Sequence, residues 1–240
     1  MQDTYICLME VEIIFEDETI LIVNKPNNVL IHKSYYARNI KDETLLELVY
    51  KQTGLNLYPV HRLDRKTSGV LVLAKQKEQV AIFQALFNTN EIQKTYLGIV
   101  RGFVAEPTLI NSPVKNPDTQ VYKEAETYCK PLQIVQLNIP VHPYETSRYS
   151  LVELKPSSGR MHQLRIHMNK MSHPIVGDYK YGDRFHNRMF ENEFNCHNLF
   201  LHAVSLSFKH PLTEKQLNIK ARIPEDWTYL FSKFEWKVDI

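Results

Sequence analysis

The sequence predicts an α+β fold on a mixed β-sheet, and three observations carry that prediction. Apolar runs with strand character mix with amphipathic helical segments at irregular spacing rather than in a strict strand–helix–strand rhythm. One run, residues 68–74 (SGVLVLA), is nearly continuously apolar, the pattern of a central strand rather than an edge. A doubly wound α/β domain is the alternative, but GxGxxG and GxxxxGKT are both absent.

In chain order, VEIIFEDETILIVNKPNN reads as two strands, 11–15 and 19–23, split by the acidic turn Glu16-Asp17-Glu18 and broken after the second by Lys25-Pro26-Asn27-Asn28. DETLLELVYKQTG reads as a short amphipathic helix, with Asp42 as N-cap, Leu45, Leu46, Leu48 and Val49 on its apolar face and Gly54 as its stop. After the central strand, 76–88 is the clearest helix, with Val80, Phe83 and Phe87 at spacings of three and four. Lys94-Thr95-Tyr96 leads into the strand LGIVRG. The proline-dotted segment 103–147 reads as an extended excursion with short strands, with Tyr122, Tyr128, Ile134, Val135 and Leu137 as packing material. RYSLVELKP is a further strand. RMHQLRIHMNKM (160–171) reads as a helix whose Met161, Leu164, Met168 and Met171 form an apolar stripe, placing His162 and Ile166 on one face. A last strand, LFLHAVSLSF, precedes a tail whose Trp227, Phe231, Phe234 and Trp236 are expected to pack back on the body.

A chain of 240 residues buries roughly 70% or more of its unfolded surface and needs no covalent staples. Its three cysteines, Cys7, Cys129 and Cys196, are far apart, with no CxxC pair and no ligand companions, which reads as a reducing compartment. The polar, acidic start is not a secretory leader and no stretch is long and apolar enough for a membrane, so a soluble cytoplasmic protein is expected. The formal charge of +2 hides an uneven distribution. Residues 55–102 and 151–188 each hold 7 Lys and Arg against 3 Asp and Glu, whereas residues 1–54 hold 5 against 9. Two basic segments converging on a cleft suit a polyanion; an evenly solvated surface is the other reading.

The polar clusters sit in those two segments. In VHRLDRKTSG, Asp64 stands among Arg62, Arg65 and Lys66 just before the central strand. It is either a turn or ion-pair residue or a catalytic carboxylate, and an anion held by cations suits a nucleophile or charge stabiliser better than a proton donor. No second carboxylate stands at a fixed spacing, so paired acid–base hydrolysis is not supported. In SSGRMHQLRIHM, Arg165 lies beside the apolar stripe; it either faces solvent or enters a partly buried site, where Asp64 is the obvious anion. His162 and His167 are five apart with no HExxH pattern, which excludes a zinc site of that kind. Tyr96 is either a strand aromatic or a ring that stacks on a base. Segment 173–178, HPIVGD, reads as a tight loop that positions its neighbours, with Gly177 supplying a conformation closed to other residues.

Taken in order, His61-Arg62-Leu63-Asp64 with Ser68-Gly69, Lys94-Thr95-Tyr96, Gly159-Arg160-Met161-His162-Gln163-Leu164-Arg165, His173-Pro174 with Gly177-Asp178, and Leu201-His202-Ala203 resemble the RluA-type family of pseudouridine synthases. The resemblance spans roughly residues 14–208 and implies a mixed, bifurcated β-sheet with flanking helices and a central basic cleft. It implies that Asp64 is the catalytic aspartate, Arg165 its partner, and Tyr96 the ring stacked on the target base and a candidate base for the C5 proton. Arg62 would enter the helix as uridine flips out, Leu164 would wall the pocket, and His61 and Arg160 would belong to the RNA-binding surface.

The implied reaction breaks the N1–C1′ bond of uridine and rejoins the base through C5, so no cofactor and no metal is required. The implied partner is RNA, with no membrane, and family habit points to a monomer. The pattern begins around Val11, so residues 11–240 are expected to form one catalytic domain with no room for the N-terminal S4-type RNA-binding domain of many relatives. NKPNNVLIHKS and HPIVGDYKYGDRFHN resemble the branch that modifies uridine 65 of tRNA; neighbouring branches act on ribosomal RNA or other tRNA sites. The usual Lys-Thr-Gly before the arginine is Ser157-Ser158-Gly159 here, a departure expected to alter RNA contacts rather than catalysis. A noncatalytic RNA-binding module is the alternative of another class, and a metal-dependent nuclease is disfavoured by the lack of clustered carboxylates.

Overall fold

A computed structural model describes residues 10–33, 41–89, 91–116 and 118–238. Cys7, Ser34 and Pro117 lie outside them. The chain runs β1 (Glu12–Glu16), β2 (Ile20–Lys25), α1 (Leu45–Thr53), β3 (Tyr58–Pro59), β4 (Ser68–Ala74), α2 (Gln79–Asn88) and β5 (Gln93–Arg101). Next come β6 (Thr108–Asn111), β7 (Val114–Lys115), β8 (Tyr122–Lys123), β9 (Glu126–Leu137) and β10 (Ser147–Pro156). The remainder is α3 (Gln163–Lys170), α4 (Arg184–Phe194), β11 (Leu201–Lys209), β12 (Gln216–Lys220) and α5 (Glu225–Lys233).

All seven residues of β4 are buried, which is why its sequence does not alternate: both its faces are covered. Leu71 and Leu73 pack with Leu45, Leu48 and Val49 of α1, while Val70 and Val72 pack with Phe83 and Leu86 of α2. Among the described residues the main sheet has ten strands, ordered β1-β2-β4-β11-β5-β10-β9-β6, with β3 and β12 branching off β4 and β11. The β4–β11 pairing is parallel and covers only His202↔Ser68 and Ala203↔Gly69; the other pairings are antiparallel. Beyond it the two strands diverge, β4 to β3 and β11 to β12. The sheet is therefore mixed and bifurcated, with its fork where β4 and β11 begin. On the far half, Trp227, Leu230, Phe234 and Trp236 from α5 and its following turn close over β5 and β10, so the tail packs back as expected.

Several local expectations change. The N-cap of α1 is Thr44, not Asp42: Thr44 and Glu47 form a reciprocal capping box, and Asp42 pairs instead with Arg65 at 3.1 Å. Helix α2 starts at Gln79 rather than 76. Helix α3 starts at Gln163, because His162 adopts a left-handed φ of 57° at the cap and so cannot share a helical face with Ile166. Leu164 and Met168 of the apolar stripe are buried, whereas Met171 lies past the helix and is exposed. Segment 103–147 contains β9, twelve residues long and paired with β10 from Thr127 to Leu137, with a register shift beside Pro131 that leaves Leu132 out of the pairing and where a residue without an N–H is tolerated. Val135 and Leu137 pack as expected, but Tyr122, Tyr128 and Ile134 are exposed. Helix α4 and strand β12 are additions the sequence reading did not contain.

Candidate active site

The fork positions Asp64. Thr67 N–H donates to the Asp64 carbonyl at 3.0 Å, closing a turn that delivers Ser68 and Gly69 into β4. Gly69 has a φ of +112°, and a Cβ there would lie 2.2 Å from the Ala203 carbonyl oxygen. Only glycine lets β4 and β11 meet here, so the acid sits at the seam of the two strands. From the other side, fully buried Lys25 donates to the carbonyls of Pro26, Val29 and Arg65 at 2.7, 2.8 and 2.9 Å, tying the residue after Asp64 to the end of β2. Burial pulls Lys25 down to about 7, against the attraction of Asp64.

Helix α3 supplies the counter-charge. Arg165 is buried and its Nη1 donates to Asp64 Oδ2 at 2.9 Å, while Nε and Nη2 grip both oxygens of Asp178 at 2.7 and 2.8 Å. Of the two sequence readings of Arg165, the buried one holds. Burial alone raises a carboxylic acid, but at Asp178 the Arg165 contacts and the Tyr181 and Lys180 N–H groups outweigh it and hold the acid below its ordinary value. Burial likewise opposes the Arg165 charge, and its two carboxylates overcome that and fix it as a cation. His162 stands 3.7 Å from Asp64 through Nε2 and 3.0 Å from the Tyr181 hydroxyl through Nδ1; burial lowers its pKa, so the neutral ring is favoured.

A cavity of about 310 Å³ opens over this pair, with Asp64, Tyr96, Leu164, Arg165 and Leu201 in its wall and Arg62 and Arg160 at its edge. Tyr96 is set by β5, in register with Ala203 of β11 on one side and Leu154 of β10 on the other. Burial, then the Asp64 carboxylate, push its phenol above the ordinary value, so the ring is neutral. Arg62 is exposed, and its guanidinium has no hydrogen bond or ion pair among the described residues. Arg160 Nε donates to the Glu124 carbonyl at 3.0 Å. His61 faces away: its Nε2 accepts from Val72 N–H at 3.0 Å, its ring stacks on Phe87 at 4.4 Å, and burial brings it down to about 3. It docks α2 as a neutral ring and carries no charge toward a phosphate.

Thus Asp64, Arg165, Tyr96, Leu164, Arg62 and Arg160 share one cavity wall, while His61 lines an adjoining chamber. Asp178, read from the sequence only as part of a positioning loop, is the second anchor of Arg165. Lys25 and Gln163 were missed. Gln163 is buried, accepts from Ser158 Oγ and Arg160 N–H at 2.7 and 3.0 Å, and donates to the Glu126 carbonyl and Thr127 Oγ1 at 2.8 and 3.0 Å, which fixes the cavity-edge loop. Its position inside the GRMHQLR cluster is the one sequence signal; Lys25 has only its place beside Pro26. Among the described residues no group of three His, Cys, Asp or Glu is placed to hold a metal ion, and no helix is long and apolar enough to cross a membrane.

Comparison with known proteins places this geometry in context. Residues 19–170 match the model of the RNA pseudouridylate synthase family. A tRNA pseudouridine synthase C of Vibrio parahaemolyticus is 39% identical, covering 97% of this chain and 98% of that protein. The Haemophilus influenzae protein of the same name is 38% identical, covering 94% and 98%. Among solved structures, human RNA pseudouridylate synthase domain containing 1 aligns with a TM-score of 0.71 at 24% identity, covering 90% of this chain and 85% of that one. Human RNA pseudouridylate synthase domain containing 4 aligns with a TM-score of 0.69 at 24% identity, covering 93% of each. Both human structures share the fold.

Proposed function

The chain belongs to the RluA-type RNA pseudouridylate synthase family, whose members isomerise uridine to pseudouridine in RNA, and from that premise we propose that its substrate is tRNA, at uridine 65, with Asp64 as the catalytic residue. The observation that carries the residue assignment is the Asp64–Arg165 ion pair of 2.9 Å in the wall of a cavity bounded by Tyr96 and Leu164. The carboxylate meets the sugar, the N1–C1′ bond breaks, the uracil turns, and a C5–C1′ bond forms. C5 then gives up its proton and N1 gains one, so the formula is unchanged. Arg165, pinned by Asp178, keeps the carboxylate oriented through these steps. Tyr96 offers its face to the base. Unstacking the target costs a few kcal/mol, and Arg62, exposed at the cavity edge, fills the gap that the flipped nucleotide leaves.

The names of the relatives support tRNA, and the NKPNNVLIHKS and HPIVGDYKYGDRFHN segments support position 65. We further propose a monomer, as the family resemblance implies, with residues 11–240 as one catalytic domain. Cys129 and Cys196 are buried free thiols, in keeping with a reducing cytoplasm.

The test is pseudouridine mapping of tRNA and ribosomal RNA from cells lacking the gene, with wild-type and Asp64→Ala genes restored in parallel. We expect a signal at tRNA position 65 that is lost in the deletion and regained only with wild type. The purified wild-type protein is expected to work in chelator, and Asp64→Ala to bind the RNA without converting it. A different lost site overturns the substrate assignment; activity in Asp64→Ala overturns the catalytic one.

A further inference from the structure

Beyond Tyr96 and Arg62 the cavity continues into a second chamber of about 480 Å³, between the loop before β4, helix α2 and the loop after β10. Its floor holds the Lys94 side chain. Lys94 is only 8% exposed, and its ammonium has no hydrogen bond or ion pair among the described residues. Buried cations are normally paired, because leaving one without a counter-charge costs several kcal/mol. Here the neighbours aggravate the cost. Arg62 and Arg160 line the same chamber, and among the described residues no carboxylate does. Burial, then Arg160, lower the Lys94 pKa. Arg160 uses Nε on the Glu124 carbonyl and keeps its two terminal nitrogens without partners among the described residues. Gln84 and Asn88, one turn apart on α2, add exposed amides.

Among the described residues the chamber thus presents three cations, one of them buried, and no carboxylate. We propose that this chamber is a phosphate subsite in which Lys94, with Arg160 at its rim, takes the phosphodiester adjoining the target uridine. The inference rests on the proposed RNA substrate and specifies how the strand lies across the enzyme. Tyr96 and Arg62 line both chambers, so a base in the first leaves its neighbouring linkage in the second. β5 fixes the Lys94 backbone by pairing it with Leu206 of β11, so its side chain starts from a set position before RNA arrives.

The test uses substrate RNA with a neutral methylphosphonate at one or the other linkage flanking the target, bound to wild type and to Lys94→Met, which keeps the apolar stem. We expect one linkage to weaken wild-type binding about tenfold, as for loss of one charge-assisted hydrogen bond. Lys94→Met is expected to weaken binding of unmodified RNA by a similar factor, to become indifferent to that linkage, and to lose about 0.7–0.9 from the slope of log affinity against log salt. Equal discrimination by both proteins, or no effect of either linkage on wild type, overturns the subsite. The wild-type arm does not depend on the folding of the variant. RNA that is bound but never isomerised overturns the proposed activity and leaves the subsite standing; isomerisation with indifferent flanking linkages does the reverse.

Discussion

Arg165 holds two carboxylates at once, and they differ in what else they can reach. Asp178 is 1% exposed and fully committed to Arg165 and two backbone N–H groups, whereas Asp64 faces the cavity. Replacing Asp178 by Asn keeps the shape and removes the charge, so at pH 7 urea denaturation is expected to show a loss of about 2–3 kcal/mol. The folded-state pKa of Asp178 lies below its ordinary 3.8, so its contribution is present above that value and disappears as pH falls through the folded value. The gap between wild type and Asp178→Asn therefore narrows below about pH 4. Turnover of Asp178→Asn is expected to drop with RNA affinity retained, since the variant frees the guanidinium that orients Asp64. Tyr96 yields a second expectation. Its raised pKa leaves the phenol protonated in the free enzyme, so kcat/KM is expected to stay level between pH 7 and 9. A rise of one log unit per pH unit in that window would assign the C5 proton to the phenolate.

At the scale of elements, the seam between β4 and β11 depends on one missing side chain. Gly69→Ala places a Cβ 2.2 Å from the Ala203 oxygen at a φ of +112°, and is expected to cost about 3 kcal/mol or more by urea denaturation. Gly159→Ala meets nothing within 4 Å and is expected to change stability by less than about 0.5 kcal/mol. Elements with a local signature were legible in the sequence: the unbroken apolar run of β4, the helical spacing of Phe83 and Phe87, and the cluster around Asp64. Those set by distant partners were not. β12 exists because β11 offers a free edge beyond the fork, and α4 because Asp183 caps it and Phe190 finds Tyr149 and Phe200. The reading of Arg165 stayed open for the same reason, since its two anions lie 101 and 13 residues away along the chain. Lys25 and Lys94 look like any surface lysine until the fold buries them.

For the molecule as a whole, a net charge of +2 says little, while Arg62, Lys94 and Arg160 around one opening form the positive surface on which the proposed RNA substrate is expected to land. RNA affinity is expected to fall with salt through counterion release. Arg62→Ala is expected to slow turnover more than it weakens binding, measured by single-turnover kinetics beside filter binding; equal losses would make it a plain phosphate contact. The fork carries one further implication, for synthesis on the ribosome. Ser68 waits for His202, 134 residues later, and at roughly 5–20 residues per second that interval lasts on the order of 7–27 s. Throughout it the edge of β4 is open and Asp64 has no seam to sit in. The nascent chain thus grows with its proposed site unassembled, and that site is complete only once β11 has emerged and paired with β4.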